Sequence, residues 1–241
     1  MRILAIGAHP DDVEILCAGT LAHYANEGHE VWIAIATRGD VGSPTHTRAE
    51  IAEIRHAEAT AAAELLGARL SWLGFDDEWL FDDRPTRARF IDAIREAAPD
   101  VMFVHNTADY HPDHRIAGSV AMDARIPSAI RLVQTERPAV ERIPHVFVMD
   151  TLGRVDFEPE LYVDITDTFE TKRQMLERHV SQDAWLRSLY GMSYVDFIAE
   201  QAGARGAEAG VRYAEAFREL RTYPSTGSAE LLPGRVIGVD G

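Results

Sequence analysis

Two short segments of the 241-residue chain put metal-binding and proton-transfer groups close together: Ala8-His9-Pro10-Asp11-Asp12 and His111-Pro112-Asp113-His114. Each follows an apolar run, Ile3 to Ile6 in the first case and Val101 to Val104 in the second, and each precedes a stretch of helical periodicity. Such strand-to-helix junctions are where an open α/β sheet forms its ligand crevice. Asp and Pro are also common helix caps, but capping has no use for the flanking histidines. A catalytic zinc takes three protein ligands from His and carboxylate and leaves a fourth position for water, and the two junctions supply more than that.

His9 and Asp12 stand three apart across a sharp turn and are placed to share one ion. Asp11 must point elsewhere, which makes it the better base for taking a proton from water. His111 and His114 compete for the third ligand position, and spacing alone leaves both open. If His114 ligates, His111 is left to steady a tetrahedral oxyanion or protonate a leaving amine. Asp113 is then a carboxylate that orients His111 or His114 from behind. Two histidines and one carboxylate suit zinc first and also accept ferrous iron.

The elements that must carry these groups are visible in the hydrophobic pattern. Strands are expected over Arg2 to Ala8, Glu30 to Thr37, Leu70 to Leu73, Val101 to His105, His145 to Met149 and Tyr162 to Ile165. Helices are expected over Val13 to Asn26, Thr47 to Leu66, Thr86 to Ala97, Arg115 to Ile130, Asp167 to Arg178 and Asp183 to Gln201, with an irregular tail from Pro224. This alternation predicts an α/β fold, a Rossmann-like and mostly parallel sheet with helices on both faces, in a single domain over 1–241. The first turn lacks G-x-G-x-x-G and carries carboxylates, so a dinucleotide is excluded there.

The formal net charge of −15 disfavours a nucleic-acid or anionic-membrane partner. Cys17 is the only cysteine, which rules out an internal disulfide and a Cys-rich zinc site. No apolar run approaches the roughly 20 residues of a bilayer span, and no secretory signal precedes the first strand. The expected compartment is the cytoplasm.

The paired motifs at 8–12 and 111–114 resemble those of the zinc-dependent N-acetylglucosaminyl deacetylases of the PIG-L or LmbE-like family. Arg55-x-x-Glu58-Ala59, Asp164-Ile165-Thr166-Asp167-Thr168-Phe169 and Gly210 to Phe217 are similar to segments of the bacillithiol-pathway deacetylases. The resemblance implies His9, Asp12 and His114 as metal ligands, Asp11 as general base and His111 as the electrostatic or acid partner. It also implies that Arg55 reaches the sugar or an appended acidic group, with Tyr213 and Glu215 as further candidates at the site. Tyr213 reads equally well as a core aromatic, and the second reading of Arg55 is a solvated or salt-bridged helix arginine. A homo-oligomer, trimer or hexamer, is implied as well.

The other histidines, His23, His29, His46, His56, His105, His145 and His179, lack motif context and read as structural or surface residues. Arg38-Gly39-Asp40 reads as a turn or as a pocket edge. Cys17 reads as a small buried hydrophobe, and the acidic, aromatic loop from Phe75 to Asp83 as a cleft rim or a subunit contact. The expected function is metal-dependent hydrolysis of the N-acetyl amide of a glucosamine-type substrate. Its rivals are an amidase of thiol-sugar conjugates and a metal-binding protein without turnover.

Overall fold

The structure, a computed structural model, describes residues 1–222 and 229–239, with Tyr190 described by its backbone only. Residues Arg2–Gly7 form β1, whose Ile3 and Ala5 pack into one buried layer while Leu4 and Ile6 pack into the other. A strand covered on both faces needs an unbroken apolar run, which is why no polar alternation marks it. Strands β2 (Glu30–Thr37), β3 (Arg69–Phe75), β4 (Val101–Val104) and β5 (His145–Met149) complete a parallel block in the order β3-β2-β1-β4-β5. Strands β6 (Leu161–Asp164), β7 (Ala214–Glu219) and β8 (Val236–Gly238) extend it in the order β7-β6-β8 with antiparallel pairings.

Helices α1 (Asp12–Leu16), α2 (Ala18–Asn26), α3 (Arg48–Glu64), α6 (Phe169–Leu176) and α8 (Tyr194–Ala209) contribute to the layer that buries Ile3, Phe103, Phe147 and Phe217. Helices α4 (Arg84–Ala97) and α5 (Pro112–Ser128) cover the opposite face over Leu4, Ile6, Met102 and Val104. Helix α7 (Val180–Tyr190) precedes α8. Helix α3 begins with a capping box in which Thr47 and Glu50 satisfy each other's backbone donors. The α/β class and the first five strands agree with the sequence reading.

The structure departs from the sequence reading in four places. The helix expected over Val13 to Asn26 breaks at Cys17, because the carboxylate of Glu215 on β7 accepts from the Gly19 and Thr20 N–H groups at 2.9 and 2.8 Å. Lys172 Nζ donates to the Ile15 carbonyl at 2.6 Å on the other side of the break. The segment Asp183 to Gln201 is two helices, since Gly191 takes φ 68 at the end of α7 and Ser193 accepts from the Asp196 N–H to start α8. The segment Gly210 to Phe217 contains most of β7, which no strand expectation covered. Of the tail expected from Pro224, residues 224–228 lie outside the described residues, and residues 229–239 include a short 3-10 turn and β8.

Candidate metal centre

The crevice lies at the carboxyl ends of β1 and β4, where the chain order reverses. Asp11 stands at the N-cap of α1 with φ 134 and ψ −23, a backbone conformation that costs a non-glycine residue about 1–3 kcal/mol. That turn sends neighbouring carboxylates in different directions. Asp12 folds back to accept from the His9 N–H at 2.7 Å, whereas Asp11 Oδ2 accepts from Arg55 Nη2 at 3.0 Å and from the Tyr194 hydroxyl at 2.6 Å. Both donors take the same oxygen, so Oδ1 is the one left to receive a proton.

From β4, the loop 105–111 delivers His105, Asp109 and His111 before α5 presents His114. Helix α5 sits so close that a Cβ on Gly118 would lie 2.4 Å from the His105 carbonyl oxygen, which only glycine permits. The two junctions then meet. His9 Nδ1 is 3.2 Å from His114 Nε2 and 3.3 Å from Asp12 Oδ2, and His114 Nε2 is 3.2 Å from Asp12 Oδ1. Ligands bound at about 2.0–2.2 Å around a tetrahedral ion stand about 3.4 Å apart, so the three donors fit one divalent cation. Groups able to hold a metal overlap here: His9 with His111 and His114, Asp12 with His105 and His114, and His9 with Asp77 and Asp113.

Behind these donors lie further carboxylates. Asp77 Oδ1 and Asp113 Oδ2 are 3.2 and 3.5 Å from His9 Nε2, and Asp109 Oδ2 is 3.2 Å from His114 Nδ1. His105 stacks on His114 with ring centroids 4.3 Å apart, and its Nε2 accepts from the Ala8 N–H at 3.0 Å. His111 is half-buried; its Nδ1 accepts from the Asp113 N–H at 3.2 Å, so the proton of its neutral ring is on Nε2, 3.3 Å from Glu78 Oε1.

Burial disfavours charge on His9, yet Asp12, Asp113 and Asp77 outweigh it and hold its pKa well above the usual histidine value. Burial likewise opposes charge on His114, but Asp12 and Asp109 push its pKa up to about 9. Asp12 responds in the other direction: burial raises its pKa, but His114, His105 and His9 carry it well below the usual carboxylate range. Asp11 is raised, chiefly by burial and further by Asp12, against the pull of Arg55. For His111, burial first and then the charges of His9 and His114 lower the pKa. His9, His114 and Asp12 are thus each supplied with opposite charge, while Asp11 and His111 are shifted toward neutrality.

Every site residue named from the sequence can be placed. His9, Asp11, Asp12, His111 and His114 gather within this cluster. Asp113 faces His9 and accepts from the Glu78 and Leu80 N–H groups at 2.8 and 3.3 Å, so it backs a different histidine from the two expected. Arg55 is buried, and besides Asp11 its guanidinium donates to the carbonyls of Pro10 at 2.8 Å and Gly39 at 3.2 Å. Glu215 is occupied with α2 and with Lys172 Nζ at 2.6 Å. Tyr213 stacks on Phe169 at 3.9 Å, away from the donors.

Sequence reasoning passed over Asp77, His105, Asp109 and Tyr194. His105 carried a usable signal, since it ends an expected strand at the same sheet edge as the motifs. Asp109, two residues before His111, carried one too. Asp77 belongs to the acidic loop read as a cleft rim or a subunit contact, and it is the rim reading that fits its place 3.2 Å from His9 Nε2; Tyr194 comes from a late helix, and nothing local assigns it to the site. His179, read as structural or surface, is buried 3.3 Å from Glu14, and the charge of Asp11 contributes to its raised pKa.

A family model described as GlcNAc-PI de-N-acetylase, PIG-L, matches residues 4–125. The diacetylchitobiose deacetylase of Thermococcus kodakarensis is 28% identical over 226 residues, covering 88% of this chain and 82% of the relative. The 4-oxalmesaconate hydratase of Pseudomonas putida is 25% identical over 189 residues, covering 75% and 73%. Among solved structures, the N,N'-diacetylchitobiose deacetylase of Pyrococcus horikoshii superposes with a TM-score of 0.78 at 29% identity, over 90% of this chain and 83% of that one.

Proposed function

The chain belongs to the PIG-L family of GlcNAc-PI de-N-acetylases, and from that premise we propose that it hydrolyses the N-acetyl amide of a glucosamine-type substrate, releasing acetate and a free amine. The observation that carries this reading is the meeting of His9 Nδ1, His114 Nε2 and the Asp12 carboxylate at 3.2–3.3 Å beside the Asp11 carboxylate. His9, Asp12 and His114 hold the ion, with zinc as the native metal. When bound, zinc supplies acidification of a water and polarisation of the amide carbonyl.

Asp11 Oδ1 takes the proton of the attacking water. Arg55 and Tyr194 fix its orientation through Oδ2 and leave Oδ1 for that proton. His111 Nε2–H donates to the oxyanion that forms on the carbonyl, a role a neutral imidazole can fill. On collapse the proton held by Asp11 is available for the leaving amine. The reaction needs no other cofactor. The working assembly is a homo-oligomer, and the compartment is the cytoplasm, in keeping with a fold in which no helix of the described residues is long and apolar enough to cross a membrane.

The deciding experiment measures amine release from a panel of N-acetylglucosamine derivatives with as-isolated, chelated and zinc- or iron-reconstituted protein. Metal-dependent release is expected. Asp11→Ala should retain the metal and lose about 10²–10⁴-fold in turnover. Silence across the panel with metal bound would overturn the reading. Two further substrates in the panel, a thiol-sugar conjugate and an unsaturated carboxylate, would show which of the related activities replaces it.

A further inference from the structure

A cavity of about 590 Å³ opens beside the candidate base, within the 300–1,000 Å³ range of small-molecule sites. Its lining includes Ile15, Tyr110, Leu186, Met192, Tyr194 and Phe197. Three of these belong to the site's own elements. Ile15 lies one turn after Asp11 on α1, with its N–H bonded to the Asp11 carbonyl at 3.0 Å. Tyr194 donates to Asp11, and the Tyr110 ring centroid is 6.3 Å from that of His111 and 6.4 Å from that of His114. An occupant of the cavity would be next to the reacting amide.

Three polar groups of this wall are engaged inside the protein. The Tyr194 hydroxyl is spent on Asp11, the Ser193 hydroxyl donates to Asp196 Oδ2 at 2.6 Å, and the Gly153 N–H donates to Gln201 Oε1 at 3.0 Å. A second sugar ring would bring several hydroxyls into a space where these groups have no bond to offer, and buried hydroxyls without partners are costly. An acetyl methyl would leave most of the volume empty. Met192 and Val155 expose 41% and 46% of their surface at the rim, as expected of side chains that await an apolar cover.

We propose that this cavity is the subsite for an apolar alkyl or aryl substituent of the substrate, carried either on the acyl side of the amide or on the aglycone of the sugar. The inference rests on the amide-hydrolase reading above and names the substrate class for it. Each methylene buried is worth about 0.8 kcal/mol, or about a four-fold gain.

The test runs two homologous series on zinc-loaded protein: N-acyl-glucosamines from acetyl to octanoyl, and alkyl N-acetylglucosaminides from methyl to octyl. In parallel, calorimetry follows binding of the alkyl series to metal-free protein. One series should gain about four-fold per methylene in kcat/KM until the cavity is full, and the series that rises assigns the side. Met192→Asp and Val155→Trp should flatten that slope in rate and in binding. If no substrate is hydrolysed but binding still rises with chain length and is flattened by Met192→Asp, the subsite stands and the deacetylase reading falls. If amines are released with no chain-length dependence in either series, in rate or binding, the subsite is overturned and the reaction stands. Flat binding together with self-association that Met192→Asp abolishes would assign the face to a second copy of the chain and likewise overturn the proposal.

Discussion

The donor cluster lies between two walls of opposite character. On one side the loop from Phe75 to Asp83 is acidic and held through its backbone: Asp40 accepts from the Asp77 N–H at 3.0 Å, and Asp113 accepts from the N–H groups of Glu78 and Leu80. That clamp holds Glu78 at φ 66 and sets Asp77 against His9. On the other side α7, α8 and Tyr110 present an apolar surface whose polar link to the cluster is the Tyr194 hydroxyl on Asp11. The contrast points to a division of labour. Under the roles proposed above, the acidic wall tunes the ligands and so the ion, whereas the apolar wall tunes the base and what the substrate carries beyond its amide.

Asp113→Asn tests that division most severely, because it removes a charge behind His9 and loosens the clamp on the loop together. Metal affinity should fall about 10–100-fold, as it does when the outer partners of a ligand are lost, with turnover per bound ion little changed. Chelator competition and activity at saturating zinc separate the two quantities. Unchanged affinity with collapsed turnover would break the comparison.

Tyr194→Phe keeps the apolar wall and removes one hydrogen bond to a carboxylate. Turnover should fall on the order of ten-fold, while metal affinity and KM hold, since Arg55 continues to pin Asp11 Oδ2. A loss of bound metal in this variant would show that the two walls are not separate.

The smallest effect sharpens the acidic side. The folded-state pKa of His114 is raised to about 9 from an ordinary 6.5. A raised value contributes stability that is fully present below the unfolded pKa and disappears as pH climbs through the folded one. Metal-free protein should therefore melt a few degrees lower at pH 9 than at pH 6.5. The zinc-loaded protein should show a flatter profile, because ligation already requires His114 to be neutral. Equal slopes in the two forms would remove the charge pairing around His114 as a source of stability.

Much of this arrangement is legible in the sequence because it is local. The two His-Pro-Asp motifs are contiguous, and the parallel strands are continuous apolar runs, so Ile3 to Ile6 and Val101 to Val104 announce both the elements and the edge where the motifs sit. What escaped was set from a distance. The break at Cys17 depends on Glu215, which lies on a strand nearly at the other end of the chain, and no pattern around Cys17 encodes it. Reading Asp183 to Gln201 as one helix hid the turn at Gly191 and Ser193, and with it the position of Tyr194 at the start of α8. Arg55 has the chemistry of a carboxylate-binding residue, and its partner in the structure is the carboxylate of Asp11.

The donors His9 and Asp12 hang from β1, whereas His114 follows β4, and these strands pair side by side with Ile3 opposite Val101. Contacts between segments so distant along the chain form slowly, and parallel pairing is among the slowest. A growing polypeptide that has made β1 but not β4 holds two of the three proposed ligands and cannot complete the cage they would form. With the proposed ligands, metal capture waits for β1 and β4 to pair, so an occupied site reports that the centre of the sheet has closed.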